Sequence, residues 1–433
     1  MNKNSIFTVF FFLIFALVSA QKDSWTLTKC METALQNNIE IKIRQLEIKR
    51  TEKSQNSVLN RMLPVINLYG EQGYNFGSTI DPSTNGRVSS NIQNDNFYLN
   101  ARTNLIDFSA FANAQKDKIN IEQAKAEKEV VENEYKLQIL ESYYQVLYAQ
   151  ELLKIQKEQL KQASFNLDRV TKEVTIGSKP QSDLYDMQLS FSEEEIRNLE
   201  TAQLYAIKKT ELFQLMNVTG VATDEITVEP YLNERTEYAE NSLYNPKIKL
   251  AELNYQNILK SIRLERASNL PILSAYYGYS TFYYKNIKQA NATTDSFFNQ
   301  LEENKSQQVG MQLSVPIFNG FRNNKKISAK KIAGDQAKLV VEKEKRQLDK
   351  QVVLEEQNKR NYLLLQNKLM EKEKYAKASL ATTQAKFISG KVEAILYSSV
   401  KNQSLSAEYE VLRNNLQLQY IDLKINLLRK NHL

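Results

Sequence analysis

Four stretches of this chain alternate apolar and polar residues, which is the pattern of a β-strand with two different faces. In the fourth stretch, for example, Val309 and Met311 lie on either side of Gly310. Each stretch is close to the ~9–11 residues of a strand that crosses a membrane. The pattern predicts strands at about 65–76, 97–106, 272–284 and 309–317.

The two faces of the predicted strands differ in polarity. Leu99 lies on an apolar face and Asn100 on a polar one, and Leu313 and Gln312 are arranged in the same way. With long polar loops between paired strands, this is typical of outer-membrane barrels. The alternative is a half-buried hairpin of a soluble domain, but no segment is available to cover the apolar faces of two lone hairpins. Because even small barrels have about eight strands, we expect several copies of the chain to pool their strands.

Two long segments contain neither glycine nor proline, one between Gly86 and Gly177 and the other between Gly334 and Gly390. Because these residues are the strongest breakers of regular structure, their absence predicts long helices over about 111–175 and 321–389. Such helices are several times longer than the mean of ~11–12 residues. Apolar residues at coiled-coil spacing indicate how the first is held. They are Leu160, Ala163, Leu167, Val170 and Val174.

Each predicted long helix ends at a short break, after which the helical pattern resumes. The breaks are "IGSKPQ" at 176–181 and "ISGKVE" at 388–393. A tight turn between two long helices brings the second back along the first. The sequence therefore predicts two long antiparallel helical hairpins.

The order of these parts occurs twice, which indicates two homologous halves. Each half consists of a helix, two strands, a very long helix, a tight turn and a returning helix. We expect a first repeat over 21–225, a linker over 226–240 and a second repeat over 241–433. The matching segments are 63–64 with 270–271 at an offset of 207, 105–111 with 315–321 at an offset of 210, and 178–185 with 390–397 at an offset of 212.

The N-terminal segment 1–20 has the features of a secretory signal peptide. Lys3 precedes an apolar run, and small residues precede a cleavage site after Ala20. The alternative, a membrane anchor, is disfavoured because the run is shorter than the ~20 residues of a spanning helix. The single cysteine, Cys30, lies too far past the cleavage site to be the lipidated first residue, and alone it forms no internal disulfide.

Composition argues against enzymes and nucleic-acid binding. The net charge of +7 comes from 57 basic and 50 acidic residues that are interspersed along the chain, which is typical of solvated helix faces rather than of a nucleic-acid site. With one cysteine and one histidine, the chain lacks the residues for soft metal sites and for Cys-His or Ser-His catalysis. We expect no catalytic residue, metal or cofactor.

Several segments, in this order, resemble the TolC family of outer-membrane efflux channels over essentially the whole mature chain. They are "LTKCMETALQNNIEI" at 27–41, "LPVINLYGEQGY" at 63–74, "LPILSAYYGYS" at 270–280 and "LSVPIFNGFRNNKKI" at 313–327. The resemblance implies a homotrimer with a twelve-stranded barrel in the outer membrane of a Gram-negative bacterium and a helical tunnel in the periplasm. It also implies a passive conduit, with a periplasmic adaptor protein, an inner-membrane transporter and outer-membrane lipid as partners, serving efflux or type I secretion.

The resemblance further implies two sets of site residues at the helix turns. Asp183, Asp186 and Glu393 would lie at the closed periplasmic entrance, although Ala394 and Tyr397 occupy positions where the family has an aspartate pair. The alternative is that these carboxylates only favour helix N-termini, where negative charge is stabilising. The turns would dock the adaptor. Their candidate residues are Ile176, Gly177, Ser178, Ile388, Ser389 and Gly390.

Two other functions are compatible with long helices in an exported protein. One is a membrane-anchored structural or adhesive coiled-coil protein of the cell envelope, but such proteins usually have one anchor and one stalk, whereas strands and helices are interleaved here. The other is the periplasmic adaptor itself, which has one helical hairpin flanked by small β-domains. The duplicated arrangement favours the channel.

Overall fold

The computed structural model of the protein describes residues 24–80, 85–89, 91–218, 226–230, 244–287 and 295–432. The predicted signal peptide lies outside the described residues, as do 231–240 of the predicted linker. The chain forms two compact units. The first contains the described residues up to 46, those of 125–250 and those from 342 onward, and the second contains those of 47–124 and 251–341.

Helices make up most of the described chain, and none of the described helices is both long and apolar enough to cross a membrane. In chain order they are α1 (Leu27–Asn37), α2 (Ile39–Ser54), α3 (Val58–Met62), α4 (Phe108–Thr175), α5 (Gln181–Leu215), α6 (Pro246–Ala267), α7 (Phe297–Glu303), α8 (Arg322–Ile388) and α9 (Ala394–Lys430).

The two longest helices, α4 with 68 residues and α8 with 67, lie where the sequence predicts them. Helix α4 begins three residues earlier than predicted, because the Asp107 carboxylate accepts a hydrogen bond from the Ser109 amide (2.8 Å) and satisfies one of the free donors of the first turn. Helix α8 begins one residue later, because Gly320 and Phe321 have left-handed backbone (φ 64° and 60°).

The first unit is called the helical unit below, and its core is formed by α1, α4, α5 and α9. Its side chains follow the apolar stripes of the helices, and aromatic residues fill the larger spaces between them. The tyrosine at its centre, Tyr143, is fully buried and donates a hydrogen bond to the Trp25 carbonyl oxygen (3.1 Å). The largest of its fully buried side chains are Leu27, Ile139, Leu140, Tyr143, Leu147, Leu212, Met216 and Leu427.

The core also holds the start of the predicted linker between the repeats. Strand β1 (Ser24–Trp25) pairs in parallel with strand β6 (Thr227–Val228). Gln150 of α4 donates to the Val228 carbonyl (2.8 Å) and accepts from the Val228 amide (2.9 Å). Its side-chain amide therefore forms the two hydrogen bonds that a neighbouring strand would form, and both backbone groups of Val228 have partners inside the core.

The second unit contains a four-stranded antiparallel sheet in the order β2-β5-β7-β8. These strands are β2 (Val65–Asn75), β5 (Ile92–Ile106), β7 (Ile272–Asn286) and β8 (Ser306–Ser314). Strand β5 begins earlier than predicted, because its outer end continues to pair with β2. Strand β8 ends earlier, two residues before Pro316, which has no amide hydrogen to donate. A short hairpin, β3 with β4, lies in the first predicted loop. The two strands of this hairpin are β3 (Ser78–Ile80) and β4 (Arg87–Ser89).

The pairing of β5 with β7 joins the hairpins of the two predicted repeats into one sheet. The sequence pattern does not predict which strands pair between the two hairpins. Within one chain the outer sheet edges belong to β2, the first long strand, and β8, the last.

The register places the predicted polar residues on one face of the sheet. Ser274 pairs with both Asn104 and Gln312, and its hydroxyl donates to the Asn104 side chain (3.1 Å). Arg102 reaches across β7 and donates to the Gln312 side-chain oxygen (3.2 Å). On the other face, apolar side chains such as Leu68 (75% exposed) and Val309 (82% exposed) have no cover within the described chain.

The hydrogen bonds of Gln150 provide a test of the core. In Gln150→Leu the buried Val228 amide and carbonyl lose their partners, and an unpaired buried polar group costs ~1–3 kcal/mol. We expect the free energy of unfolding to fall by about that amount, measured as a lower thermal midpoint by circular dichroism. Gln162→Leu, at an exposed position of the same helix, is the control, and equal effects of the two substitutions would contradict this role of Gln150.

Candidate functional site

The turns that end α4 and α8 have the same backbone structure. In the first, Gly177 (φ 78°) donates to the Val174 carbonyl (2.9 Å) and the Ser178 amide donates to Glu173 (2.9 Å). In the second, Gly390 (φ 68°) donates to Phe387 (3.2 Å), and Lys391 donates to Lys386 (2.9 Å). Both are Schellman motifs, in which glycine supplies the left-handed position and the last free carbonyls find partners.

The matching turns correct the predicted offset between the two halves of the chain. Gly177 and Gly390 are equivalent, as are the N-cap residues Pro180 and Glu393 with ψ of 157° and 159°. The structural offset is therefore one residue larger than the predicted 212, and Asp183 corresponds to Leu396. Similar residues on both sides of each turn led to this one-residue error in the predicted offset.

The side chains of the predicted docking turns divide into exposed and capping residues. Ile176 is 79% exposed and Ile388 is 54% exposed. The Ser178 hydroxyl donates to the Glu173 carbonyl (2.9 Å), and the Ser389 hydroxyl donates to Lys386 (3.1 Å), so both serines stabilise the helix ends. A side chain at Gly177 or Gly390 would meet no atom within 4 Å. Each turn thus presents an isoleucine and bare backbone at an open tip.

The three candidate entrance carboxylates have different environments. Asp183 is largely buried and pairs with Lys179 Nζ at 2.9 Å. Asp186 is half-buried and lines an open groove of about 630 Å³ between α5 and α9. Glu393 is exposed and makes no side-chain capping bond at the start of α9. Of these three carboxylates, only Asp183 has a cation partner among the described residues, whereas Asp186 is half-buried beside an open groove and Glu393 is exposed.

An aromatic cluster that the sequence does not predict links the two turns. The Phe387 ring stacks on Tyr397 with centroids 4.8 Å apart. Lys179 Nζ lies 4.4 Å from the centre of the Phe387 ring, and Arg169 approaches the same ring at 4.8 Å. A cation over an aromatic ring is attracted to its negative face. The Asp183–Lys179 pair therefore attaches the first turn to the end of α8.

Tyr397 extends this cluster to α4. The Asn166 side-chain amide donates to the Tyr397 hydroxyl (2.9 Å), and burial raises the pKa of that hydroxyl above its ordinary value. The sequence draws attention to Tyr397 as the residue found where an aspartate was expected. Its aromatic character, ten residues after Phe387 in the sequence, is the available signal for a stacking partner.

A second, buried polar group ties the hairpins together farther from the turns. The Glu194 carboxylate of α5 pairs with Lys401 Nζ of α9 at 3.0 Å, and both side chains are at most 5% exposed. Gln156 of α4 donates to the same carboxylate (2.5 Å) and accepts from the Tyr409 hydroxyl of α9 (2.7 Å). Burial raises the pKa of Tyr409 to about 12, so this hydroxyl remains a donor.

The contacts near the turns join the two hairpins to each other. In the described part of the chain, no group of three or more His, Cys, Asp or Glu side chains could hold a metal ion. The buried Glu194–Lys401 pair joins α5 to α9, and the exposed Ile176, Ile388 and Glu393 lie at the turns of the two hairpins.

Comparison with solved structures shows a shared fold. CusC, whose structures concern folding and transmembrane channel formation, is 15% identical with a TM-score of 0.73, and the match covers 93% of this chain and 92% of CusC. The CmeC outer membrane channel of Campylobacter jejuni is 13% identical with a TM-score of 0.74, covering 93% and 85%. The MtrE channel of Neisseria gonorrhoeae, in its open state, is 14% identical with a TM-score of 0.69, covering 94% and 89%.

Comparison of the sequence with curated proteins gave no match. The family model described as outer membrane efflux protein matches residues 30–218 and 240–427. The match includes both long helical hairpins and all four strands of the sheet. This is a family of channels, not of enzymes, and the chain belongs to the outer membrane efflux protein family.

Proposed function

We propose that three copies of this chain form an outer-membrane channel that passively passes cargo from an inner-membrane transporter and a periplasmic adaptor to the exterior. The observation that carries the proposal is the four-stranded sheet, which has one exposed apolar face and edges formed by β2 and β8. An apolar face of this extent requires lipid or another protein surface to cover it.

The edges of the sheet support a barrel built from several chains. In lipid, backbone groups at a sheet edge have no water to pair with, so membrane sheets close into barrels. Four strands are too few, and pairing β8 of one copy with β2 of the next extends the wall. The family resemblance favours three copies, which gives a twelve-stranded barrel.

The helical unit supports the same assembly. Several of its exposed side chains are large and apolar, including Leu189 (62%), Leu354 (60%) and Leu364 (76%). Stripes of this kind on long helices are normally covered by neighbouring helices. In the proposed trimer they pack against the helices of adjacent copies to form a periplasmic tunnel.

The two turns are proposed to form the periplasmic end of this tunnel and the docking site of the adaptor. Ile176 and Ile388 supply exposed apolar contacts, and the neighbouring glycines allow close approach of another backbone. Because the Asp183–Lys179 pair and Phe387 connect the turns, a partner that moves one turn also acts on the other.

Asp186 and Glu393 are proposed as the acidic residues of the entrance, and Asp183 as the residue that positions Lys179. Opening the entrance requires the two hairpins of one copy to move apart. That motion breaks the contacts of Glu194 with Lys401 and of Asn166 with Tyr397. Breaking a buried ion pair is costly, so these contacts favour the arrangement of the hairpins seen in the structure.

The first prediction concerns the number of chains. Detergent-solubilised protein from the outer-membrane fraction should have the mass of three chains, because the sheet cannot close alone. Native mass spectrometry or light scattering with correction for detergent measures this directly. A monomer, or a protein recovered in the soluble periplasmic fraction, would contradict the proposed channel.

The second prediction concerns the two faces of the sheet. An arginine near the bilayer midplane costs ~2–4 kcal/mol in a barrel strand, so Leu99→Arg and Leu313→Arg should strongly reduce the amount of assembled trimer. The controls are Asn100→Arg and Gln312→Arg at adjacent positions on the polar face. These should assemble nearly as well as the unmodified protein, and equal losses for both pairs would show that the facing assignment is wrong.

The third prediction concerns ion selectivity. Since Lys179 offsets Asp183, the cation preference of the entrance should come from Asp186 and Glu393. The double variant Asp186→Asn, Glu393→Gln should therefore reduce cation selectivity and sensitivity to multivalent cations in planar bilayers without preventing assembly. Glu158→Gln, an exposed carboxylate of α4, is the control. Unchanged ion selectivity in the double variant would contradict the proposed acidic entrance, but it would not contradict the proposed channel.

A further inference from the structure

The short helix α7 lies beside a part of β7 that pairs with β5 on one side and has no neighbouring strand on the other. Strand β8 pairs with β7 only as far as Ser306 with Ser280, whereas β7 continues to Asn286. The backbone groups of 281–286 on that side therefore need other partners. Helix α7, which follows in the connection from β7 to β8, supplies them.

Side chains of α7 replace the missing strand. Gln300, which is buried, accepts from the Tyr284 amide (2.9 Å) and donates to the Tyr284 carbonyl (3.0 Å). Asn304 donates to the Phe282 carbonyl (2.9 Å), and the Thr281 hydroxyl donates to the Leu301 carbonyl (2.7 Å). These four bonds fix the helix against the wall of the sheet.

Aromatic contacts place α7 on the apolar face. The Phe297 ring lies 5.0 Å from Tyr283 and 6.3 Å from Phe97, measured between ring centroids. Phe97 pairs with Thr281, which lies two residues from Tyr279, the partner of Leu99. Alternation along the strands therefore puts Phe97, Leu99 and the Phe297 contact on the same side.

This contact lies where the apolar face becomes polar. On β7 the apolar band covers 273–281, a length close to the ~9–11 residues that cross a membrane. The next row outward consists of Gln72, Asp95 and Tyr283, which pair across the three strands. Phe297 thus packs at the outer boundary of the band. In membrane barrels, aromatic residues concentrate at this boundary, where an apolar ring can meet the polar headgroups.

The exposed surface of α7 has the composition of an interfacial helix. Phe298 is 79% exposed, and its ring contacts Phe297 edge-on at 5.5 Å. Glu302 and Glu303 are exposed on the same helix, and Glu302 pairs with Lys305. An aromatic side chain beside charged ones on a helix at the edge of an apolar surface is typical of contact with both acyl chains and headgroups.

We propose that α7 is an interfacial helix and that Phe298 contacts outer-leaflet lipid at the boundary between acyl chains and headgroups. This inference rests on the proposed membrane barrel. The partner is lipid, because the helix continues the apolar face of the sheet at the level where that face ends.

Tryptophan fluorescence in vesicles of phosphatidylcholine tests the proposal. Full-length variants Phe298→Trp, Ile66→Trp and Asn299→Trp are reconstituted with lipids brominated either near the headgroup or deep in the acyl chains. Ile66 is in the middle of the apolar band, and Asn299 is the exposed neighbour of Phe298. The only native tryptophan, Trp25, is buried in the helical core, and its emission in the unmodified protein is subtracted.

We expect the tryptophan of Phe298→Trp to be quenched more by shallow than by deep bromine, and that of Ile66→Trp more by deep bromine. The tryptophan of Asn299→Trp should be quenched less by lipid and more by aqueous acrylamide than that of Phe298→Trp. If Ile66→Trp responds to lipid and Phe298→Trp responds only to acrylamide, α7 lies in water and the inference is wrong, although the barrel stands. If neither responds to lipid, the proposed barrel itself is wrong.

Discussion

The edges of the four-stranded sheet are the constraint on which the rest of the assembly depends. Strands β2 and β8 each pair on one side within the chain, and a lipid-exposed edge would leave backbone donors and acceptors without partners. The four-stranded sheet of one chain cannot close on itself to remove these edges, because closed membrane barrels have at least about eight strands. In the proposed channel, several copies therefore insert together, and we propose that assembly is a condition of membrane insertion rather than a later event.

The pairing of β5 with β7 determines what kind of assembly can form. Because the inner strands come from different repeats, the chain presents its first long strand at one edge and its last at the other. In the proposed assembly, contact between copies joins two different surfaces, which is a heterologous interface that closes into a ring only if the rotation between copies fits. Fusing two hairpins in one sheet thus reduces the number of copies that a ring of given size needs.

The sequence predicts those parts of the fold that follow from local pattern. The lengths of α4 and α8 follow from the absence of glycine and proline, and the faces of Leu99 and Asn100 follow from strict alternation. Pairing between β5 and β7 joins residues far apart in the chain, so no local pattern encodes it. The contacts of Lys179 with Phe387 and of Glu194 with Lys401 are equally non-local. Because charged residues on helices usually indicate a solvated face, the sequence pattern does not reveal that Glu194 and Lys401 form a buried pair.

The turns show why the candidate entrance depends on register at the level of one residue. With Gly177 and Gly390 superposed, Glu393 is equivalent to Pro180, and Asp183 is equivalent to Leu396 rather than to a residue of the expected aspartate pair. The two repeats therefore carry their carboxylates at different positions along the returning helices. Asp183 is held by Lys179, whereas Glu393 lies at a helix start, where the dipole favours its charge. The acidic entrance that we propose is thus formed by non-equivalent residues of the two predicted repeats, with Asp186 from the first and Glu393 from the second.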